Sequence, residues 1–139
     1  MFAALPLMAL PVAAYNLLAL MFGGFGGTEL QERLAKPLFT ISMASGVEWP
    51  VSLGDLLLAG SLVILFVELL KSTSSRRVAI INHSLSMLLF IGCLVEFLLA
   101  PAFASSTFFL VSVMVLLDVL AGFIVSIVSA RRDIEIGDG

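Results

Sequence analysis

The stretch that decides the fold is Phe108–Val128, FFLVSVMVLLDVLAGFIVSIV, whose midpoint and only charged residue is Asp118. At about 1.5 Å per residue this segment is roughly 31 Å long as a helix, which matches the hydrocarbon core of a bilayer. We therefore predict a transmembrane helix with Asp118 near the midplane. A carboxylate at that depth costs at least ~2.5–3.5 kcal/mol on insertion scales, so it needs a partner, a proton or water.

The composition indicates an integral membrane protein. Of the 139 residues, 60% are hydrophobic and 12% are charged, and the mean hydropathy is +1.16. A soluble domain carries about 25% charged residues. No polar segment is long enough to fold as a separate soluble domain, which excludes an anchored soluble enzyme. The lone Cys93 lies in an apolar run and is interpreted as a small packing residue.

Long apolar runs predict four spans. The first lacks a basic region before it and is too long for a typical signal peptide, so we interpret it as a retained helix. Pro6 and Pro11 predict a kink or bend in it. Pro101 closes the third span, and Ser105 or Ser106 can cap the fourth. The predicted spans cover residues 2–22, 53–70, 78–99 and 107–130.

The positions of Lys and Arg predict the orientation. Basic residues flank the second-to-third connection and follow the fourth span, whereas the third-to-fourth connection is uncharged. The expected fold is an all-α membrane protein, a four-helix transmembrane bundle with both termini cytoplasmic. It has an outer loop at 23–52 and a short, flexible tail at 131–139. The basic residues are Lys71, Arg76, Arg77, Arg131 and Arg132.

The outer loop is predicted to hold a short helix and a β-hairpin. Thr28 and Gln31 fit a capping box that starts a helix ending before Pro37. The segment LFTISMA alternates apolar and polar residues, Ser45–Gly46 can turn the chain, and VEWPV can return. Trp49 would lie at headgroup level. The loop is either a cover over the bundle or a docking surface for a partner.

Two of the five ionisable residues in or near the spans have local explanations. Asp55 follows Ser52 by three residues, which is the spacing of a capping box at the start of the second span. Glu68 precedes Lys71 by three residues, so the two form an i,i+3 ion pair near the cytoplasmic surface. Both acids are therefore expected to have structural roles.

The next two ionisable residues allow more than one interpretation. Glu96 lies within about two turns of the outer surface and can reach water, Arg33 or Lys36. His83 is expected to be a hydrogen-bonded packing residue. One histidine makes no bis-histidine haem site, and without a cysteine pair no structural zinc site is expected, so we predict no cofactor.

Asp118 has no cap or surface nearby to explain it. On a helical wheel it shares a stripe with Val111, Gly122, Val125 and Ser129, and such small and polar residues favour a helix–helix face. Asp118 is therefore either a contact between helices or a transport or proton site. The five ionisable residues could also form a ladder across the membrane. However, each pair on one helix is about 220° apart by helical phase, which favours pairwise contacts.

Three stretches, GDLLLAGSLVILFVELLK, SLSMLLFIGCLVEFLL and DVLAGFIVSIVSARRD, resemble a group of uncharacterised small four-transmembrane-helix proteins of alphaproteobacterial type. They cover roughly half of the chain. The resemblance implies a bacterial inner-membrane location and transfers no activity and no site. The small multidrug transporters are similarly short, but their substrate-binding glutamate lies in the first span, which has no acid here.

The sequence predicts that the protein is not an enzyme. No GxSxG, HExxH or phosphate-binding glycine loop is present, and no spacing specifies a triad with His83 and Asp118. We expect a small accessory or assembly subunit that binds other membrane proteins or itself within the bilayer, and no nucleic acid. The alternative is an oligomeric proton- or cation-coupled channel or transporter that uses Asp118, His83 and Glu68.

Overall fold

The computed structural model describes residues 4–71 and 76–137. The start of the first predicted span at 2–3, the centre of the 71–77 connection and the last two residues of the predicted tail lie outside that range. Within it the chain is mostly helical, with three long apolar helices and a small two-stranded sheet. The elements are α1 (Ala9–Met21), α2 (Glu29–Ala35), β1 (Pro37–Ser42), β2 (Glu48–Ser52), α3 (Leu53–Lys71), α4 (Arg76–Leu99), a 3-10 turn (Pro101–Phe103) and α5 (Ser106–Gly137).

Helix α5 is the centre of the bundle and packs against both α3 and α4. A Cβ built on Gly54 at the start of α3 would lie 2.9 Å from the Thr107 hydroxyl oxygen at the start of α5, so these two helices run parallel. A Cβ built on Gly122 would lie 2.7 Å from His83 Nδ1, and Ser86 bonds to Asp118, so α4 runs antiparallel to α5. The predicted helix–helix stripe on α5 therefore faces α4.

Helix α1 is shorter than the first predicted span. It begins at Ala9, so Pro6 precedes it and Pro11 lies in its first turn. Backbone N–H groups in a first turn have no acceptor within the helix, so a proline is tolerated there. A kink within α1 is therefore not found, but the predicted bend is, since the chain bends at Leu5, beside Pro6, before the helix begins. The buried face of α1 is formed by Pro11, Val12, Tyr15 and Ala19.

Tyr15 joins α1 to the connection between α4 and α5. Its hydroxyl donates to the Ala102 carbonyl at 2.9 Å and lies 2.7 Å from Ser105 Oγ. Its ring packs at 5.1 Å from that of Phe103 and 4.8 Å from that of Phe108, centre to centre. Ser105 Oγ also accepts from the Phe108 N–H at 3.1 Å, which confirms the predicted cap of the last span.

The outer loop divides into two parts with different packing. The predicted helix is confirmed as α2, and its buried residues Leu30 and Leu34 cover the outer end of the bundle. The predicted capping box is wrong, since the Thr28 side chain makes no cap hydrogen bond. Gln31 instead donates to the Pro101 and Ala104 carbonyls at 2.8 and 3.1 Å.

The predicted hairpin is also confirmed. β1 and β2 pair antiparallel, with Ile41 opposite Trp49 and Ser42 opposite Glu48. Gly46 has φ +84°, a left-handed conformation that glycine adopts without strain, and its N–H donates to the Met43 carbonyl. The predicted turn at Ser45–Gly46 therefore lies between the strands.

The last helix extends beyond the predicted span. α5 continues to Gly137, so the described part of the predicted flexible tail is helical and exposed. No glycine or proline occurs between Phe123 and Ile136 to end the helix. Its 32 residues span about 48 Å, more than the roughly 30 Å of a hydrocarbon core. The basic pair Arg131–Arg132 thus lies on the last turns of a helix.

We expect Gly122→Ala to loosen the packing of α4 on α5, because the new methyl would overlap the His83 ring. Overpacking of this kind costs about 1–3 kcal/mol. Gly60→Ala on α3 is the matched control, since beyond its chain neighbours and its own helix backbone no atom lies within 4 Å of its Cβ position. Unfolding of both variants by a denaturing detergent in mixed micelles measures the difference. Equal stability of the two variants would contradict this packing.

Candidate functional site

The side chain of Asp118 is buried in the bundle and hydrogen-bonded to α4. It is 5% exposed, and its Oδ2 accepts from Ser86 Oγ at 2.9 Å. The bond joins positions 32 residues apart and crosses between two apolar helices. Asp118 therefore forms the contact between helices that its stripe predicted.

A second buried carboxylate lies on α3. Glu68 is 1% exposed, and its Oε2 lies 3.2 Å from Lys71 Nζ, which confirms the predicted i,i+3 pair. The same oxygen accepts from the Leu7 N–H at 3.1 Å, and Lys71 Nζ also donates to the Leu5 carbonyl. Glu68 and Lys71 thus hold the chain before α1 against the end of α3.

Glu68 and Asp118 lie at similar depths on neighbouring parallel helices. The contact between Gly54 and Thr107 sets the register, and Glu68 is 14 residues beyond Gly54 while Asp118 is 11 residues beyond Thr107. The difference of three residues corresponds to about 4.5 Å along the axis. Glu68 is on the buried face of α3, and Asp118 is on the buried face of α5. The two acids and Lys71 form one group, which we call the inner cluster.

His83 lies one turn before Ser86 on α4. Its side chain packs against Gly122, and the centre of its ring lies 6.0 Å from that of the Phe123 ring. Its Nδ1 is buried and has no hydrogen-bond partner within residues 4–71 and 76–137. The prediction of a packing residue is confirmed, but the predicted hydrogen bond is not found at this nitrogen. His83 therefore adds a titratable group beside the inner cluster.

Glu96 and Asp55 do not join the inner cluster. Glu96 Oε2 accepts from Asn16 Nδ2 of α1 at 3.3 Å, so the predicted contact with Arg33 or Lys36 is not the one observed. The Arg33 guanidinium instead lies 5.2 Å from the centre of the Phe22 ring.

Asp55 is exposed at the start of α3. Asp55 Oδ2 accepts from the Ser52 N–H and hydroxyl, both at 2.9 Å, and the Asp55 N–H donates to Ser52 Oγ at 3.2 Å. The predicted capping box at the start of α3 is therefore confirmed.

An apolar layer separates the inner cluster from the polar contacts of the outer half. Cys93 on α4 and Val111, Met114 and Val115 on α5 are buried in it. Ser112 is buried at the same level, but its hydroxyl donates to the Phe108 carbonyl of its own helix. Within the described residues the five ionisable groups thus form no continuous ladder, and they make pairwise contacts, as the helical phase favoured.

The hairpin forms a second candidate surface. All six residues of β1 are exposed, so of the two predicted roles of the outer loop, a cover over the bundle describes α2 but not β1. Side chains of opposed residues share a face, which places Phe39, Ile41 and Trp49 together with Val51. Val51 is buried at the base of the hairpin, and the other three are exposed, Trp49 by 49%. We call Phe39, Ile41 and Trp49 the hairpin face.

Sequence reasoning missed three partners of the acids. Ser86 and Asn16 were not singled out, and the Leu7 N–H carries no sequence signal. Tyr15 and Asn16 are polar residues within the first apolar run, and both side chains form hydrogen bonds to distant parts of the chain. An isolated polar residue in an apolar helix was the signal available for Asn16.

No protein-family model, curated protein or solved structure matches this chain. Within the described residues, no group of three His, Cys, Asp or Glu side chains is placed to hold a metal ion. The case for a function therefore depends on the inner cluster and the hairpin face.

We expect Ser86→Ala to destabilise the protein by about 0.5–2 kcal/mol, because Asp118 loses its donor from α4. Ser84→Ala on the same helix is the matched control, since the exposed Ser84 hydroxyl donates to the Ile80 carbonyl of its own helix. Detergent unfolding compares the two. If the two variants lose equal stability, the bond between Ser86 and Asp118 does not hold the helices together.

Proposed function

We propose that this protein is a small integral membrane accessory or assembly subunit that binds another membrane protein through its hairpin. The observation that carries the proposal is the hairpin face. Phe39, Ile41 and Trp49 continue a surface that is buried at Val51 but is left uncovered beyond it. An isolated two-stranded hairpin is marginally stable, so such a face gains stability when a partner covers it.

The chemistry of the hairpin supports a protein partner. Residues 37–47 carry no charge, and a tryptophan beside aliphatic and aromatic residues is typical of the centre of an interface. Three acids of the spans each have a partner within the chain: Ser86 for Asp118, Lys71 for Glu68 and Asn16 for Glu96. The spans therefore provide a stable base that holds the hairpin at one membrane surface.

We also propose four spans, with both termini on the cytoplasmic side of a bacterial inner membrane. The 13 residues of α1 extend only about 20 Å. Contacts on both sides of it support a full crossing, because Leu5 lies beside Lys71 at one end and the Phe25 carbonyl accepts from the Ala102 N–H at the other. Lys71, Arg77 and Arg131 then lie on one side, as expected for the cytoplasmic side.

A second candidate is an oligomeric proton- or cation-coupled transporter, which the inner cluster favours because it groups two buried acids. Flux of protons or cations into vesicles that contain the purified protein tests this candidate. Asp118→Asn is expected to reduce flux strongly if Asp118 is the coupling site. Unchanged flux in that variant would remove Asp118 from any transport path.

For the leading proposal, we expect the double variant Ile41→Ser/Trp49→Ser to weaken the native complex tenfold or more. Truncation of interface-centre residues costs about 2 kcal/mol each, and about 1.4 kcal/mol corresponds to a factor of ten. Native gel electrophoresis and affinity purification from membranes of the source cell, in mild detergent, measure the complex.

The matched control is Thr40→Ser/Glu48→Ser, which puts the same residue type on the opposite face of the hairpin. This control should retain the complex. A monomeric species without partners in native membranes, for the unmodified protein, would overturn the proposal. Equal loss of the complex in both double variants would show that the hairpin face is not the contact.

A further inference from the structure

We propose that Glu68 and Asp118 together form a binding site for one exchangeable proton. The site lies in the inner cluster, between α3 and α5. This proposal is independent of partner binding by the hairpin, and it gives the inner cluster a ligand whether or not the protein transports ions.

The formal charge of the inner cluster favours one bound proton. With Glu68 and Asp118 ionised and Lys71 protonated, the inner cluster carries a formal charge of −1. Both acids are almost fully buried, and Lys71 is 20% exposed. Two carboxylates near each other in an apolar environment do not readily ionise together, because burial and the like charge both oppose it. One added proton brings the formal charge of the cluster to zero.

One oxygen of the Glu68 carboxylate lacks a hydrogen-bond partner. Glu68 Oε2 receives the Leu7 N–H and lies beside Lys71, but Glu68 Oε1 is buried and has no hydrogen-bond partner within the described ranges. An ionised carboxylate with one bare oxygen in an apolar bundle carries a desolvation cost. That cost falls when a proton binds to the pair.

Lys71 gives protons from the membrane surface a route to the buried acids. Lys71 is the last residue of α3 and is partly exposed, so it connects Glu68 to the membrane surface. Among residues 4–71 and 76–137, the titratable groups near the pair are Lys71 on α3 and His83 on α4, which lies about one turn away. The chain just before α1 contributes the Leu7 N–H to Glu68. A hydronium ion arriving along Lys71 gives its proton to one carboxylate, which becomes a carboxylic acid, and leaves as water.

Infrared spectroscopy of the intact protein in lipid nanodiscs tests the proposal. We expect a carboxylic-acid C=O band near neutral pH that shifts in D2O. Glu68→Gln and Asp118→Asn should each abolish it, because removal of either acid relieves the like-charge pair. Glu96→Gln is the matched control and should keep the band, because Glu96 is a half-buried acid that lies outside the inner cluster and is paired with Asn16.

Selective carbonyl 13C labelling of aspartate or of glutamate in the wild-type protein assigns the band even if a variant fails to fold. Absence of the band in the wild type throughout the neutral range would overturn the proposal. So would its persistence in Glu68→Gln, which would mean that Asp118 holds the proton alone. If Na⁺ or K⁺ abolishes the band at constant pH, a metal cation occupies the site and the proposal is also wrong.

Discussion

The structure depends on the need to satisfy a carboxylate in the middle of an apolar helix. Asp118 lies on α5, the central helix, so its partners must come from the helices that flank it. α4 supplies the Ser86 hydroxyl, and it approaches closely because Gly122, one turn along α5, has no side chain to hold His83 away. α3 presents Glu68 and Lys71 at nearly the same depth. The rotation of all three helices follows from this arrangement.

Contacts between residues close in sequence were predictable, and contacts between distant residues were not. The box of Ser52 and Asp55, the pair of Glu68 and Lys71, and the Ser105 cap each follow from a spacing of three residues and are all present. The bonds from Asn16 to Glu96 and from Ser86 to Asp118 join positions 80 and 32 residues apart. They depend on helix register, which hydropathy alone does not specify.

The errors in the outer loop and in α1 have tertiary causes. Gln31 had the right spacing for a capping box, but its amide instead donates to the Pro101 and Ala104 carbonyls, 70 and 73 residues further along the chain. Two hydrogen bonds to the connection between α4 and α5 thus take the place of the local cap. For α1, the sequence pattern suggested that Pro11 interrupts a helix that begins earlier in the chain. In the structure Pro11 lies in the first turn of α1, where a proline costs no helical hydrogen bond.

The depth of the polar groups restricts what a proton bound by the inner cluster can do. Access through Lys71 comes from one side, and the layer of Cys93, Val111 and Met114 closes the other. A proton that binds Glu68 and Asp118 therefore returns by the way it came, unless a second copy supplies a path around that layer. Within one chain, protonation changes the attraction of α3 and α5 for Lys71, which also holds the Leu5 carbonyl. The inner cluster thus fits a proton-dependent contact between helices better than a conduit across the membrane.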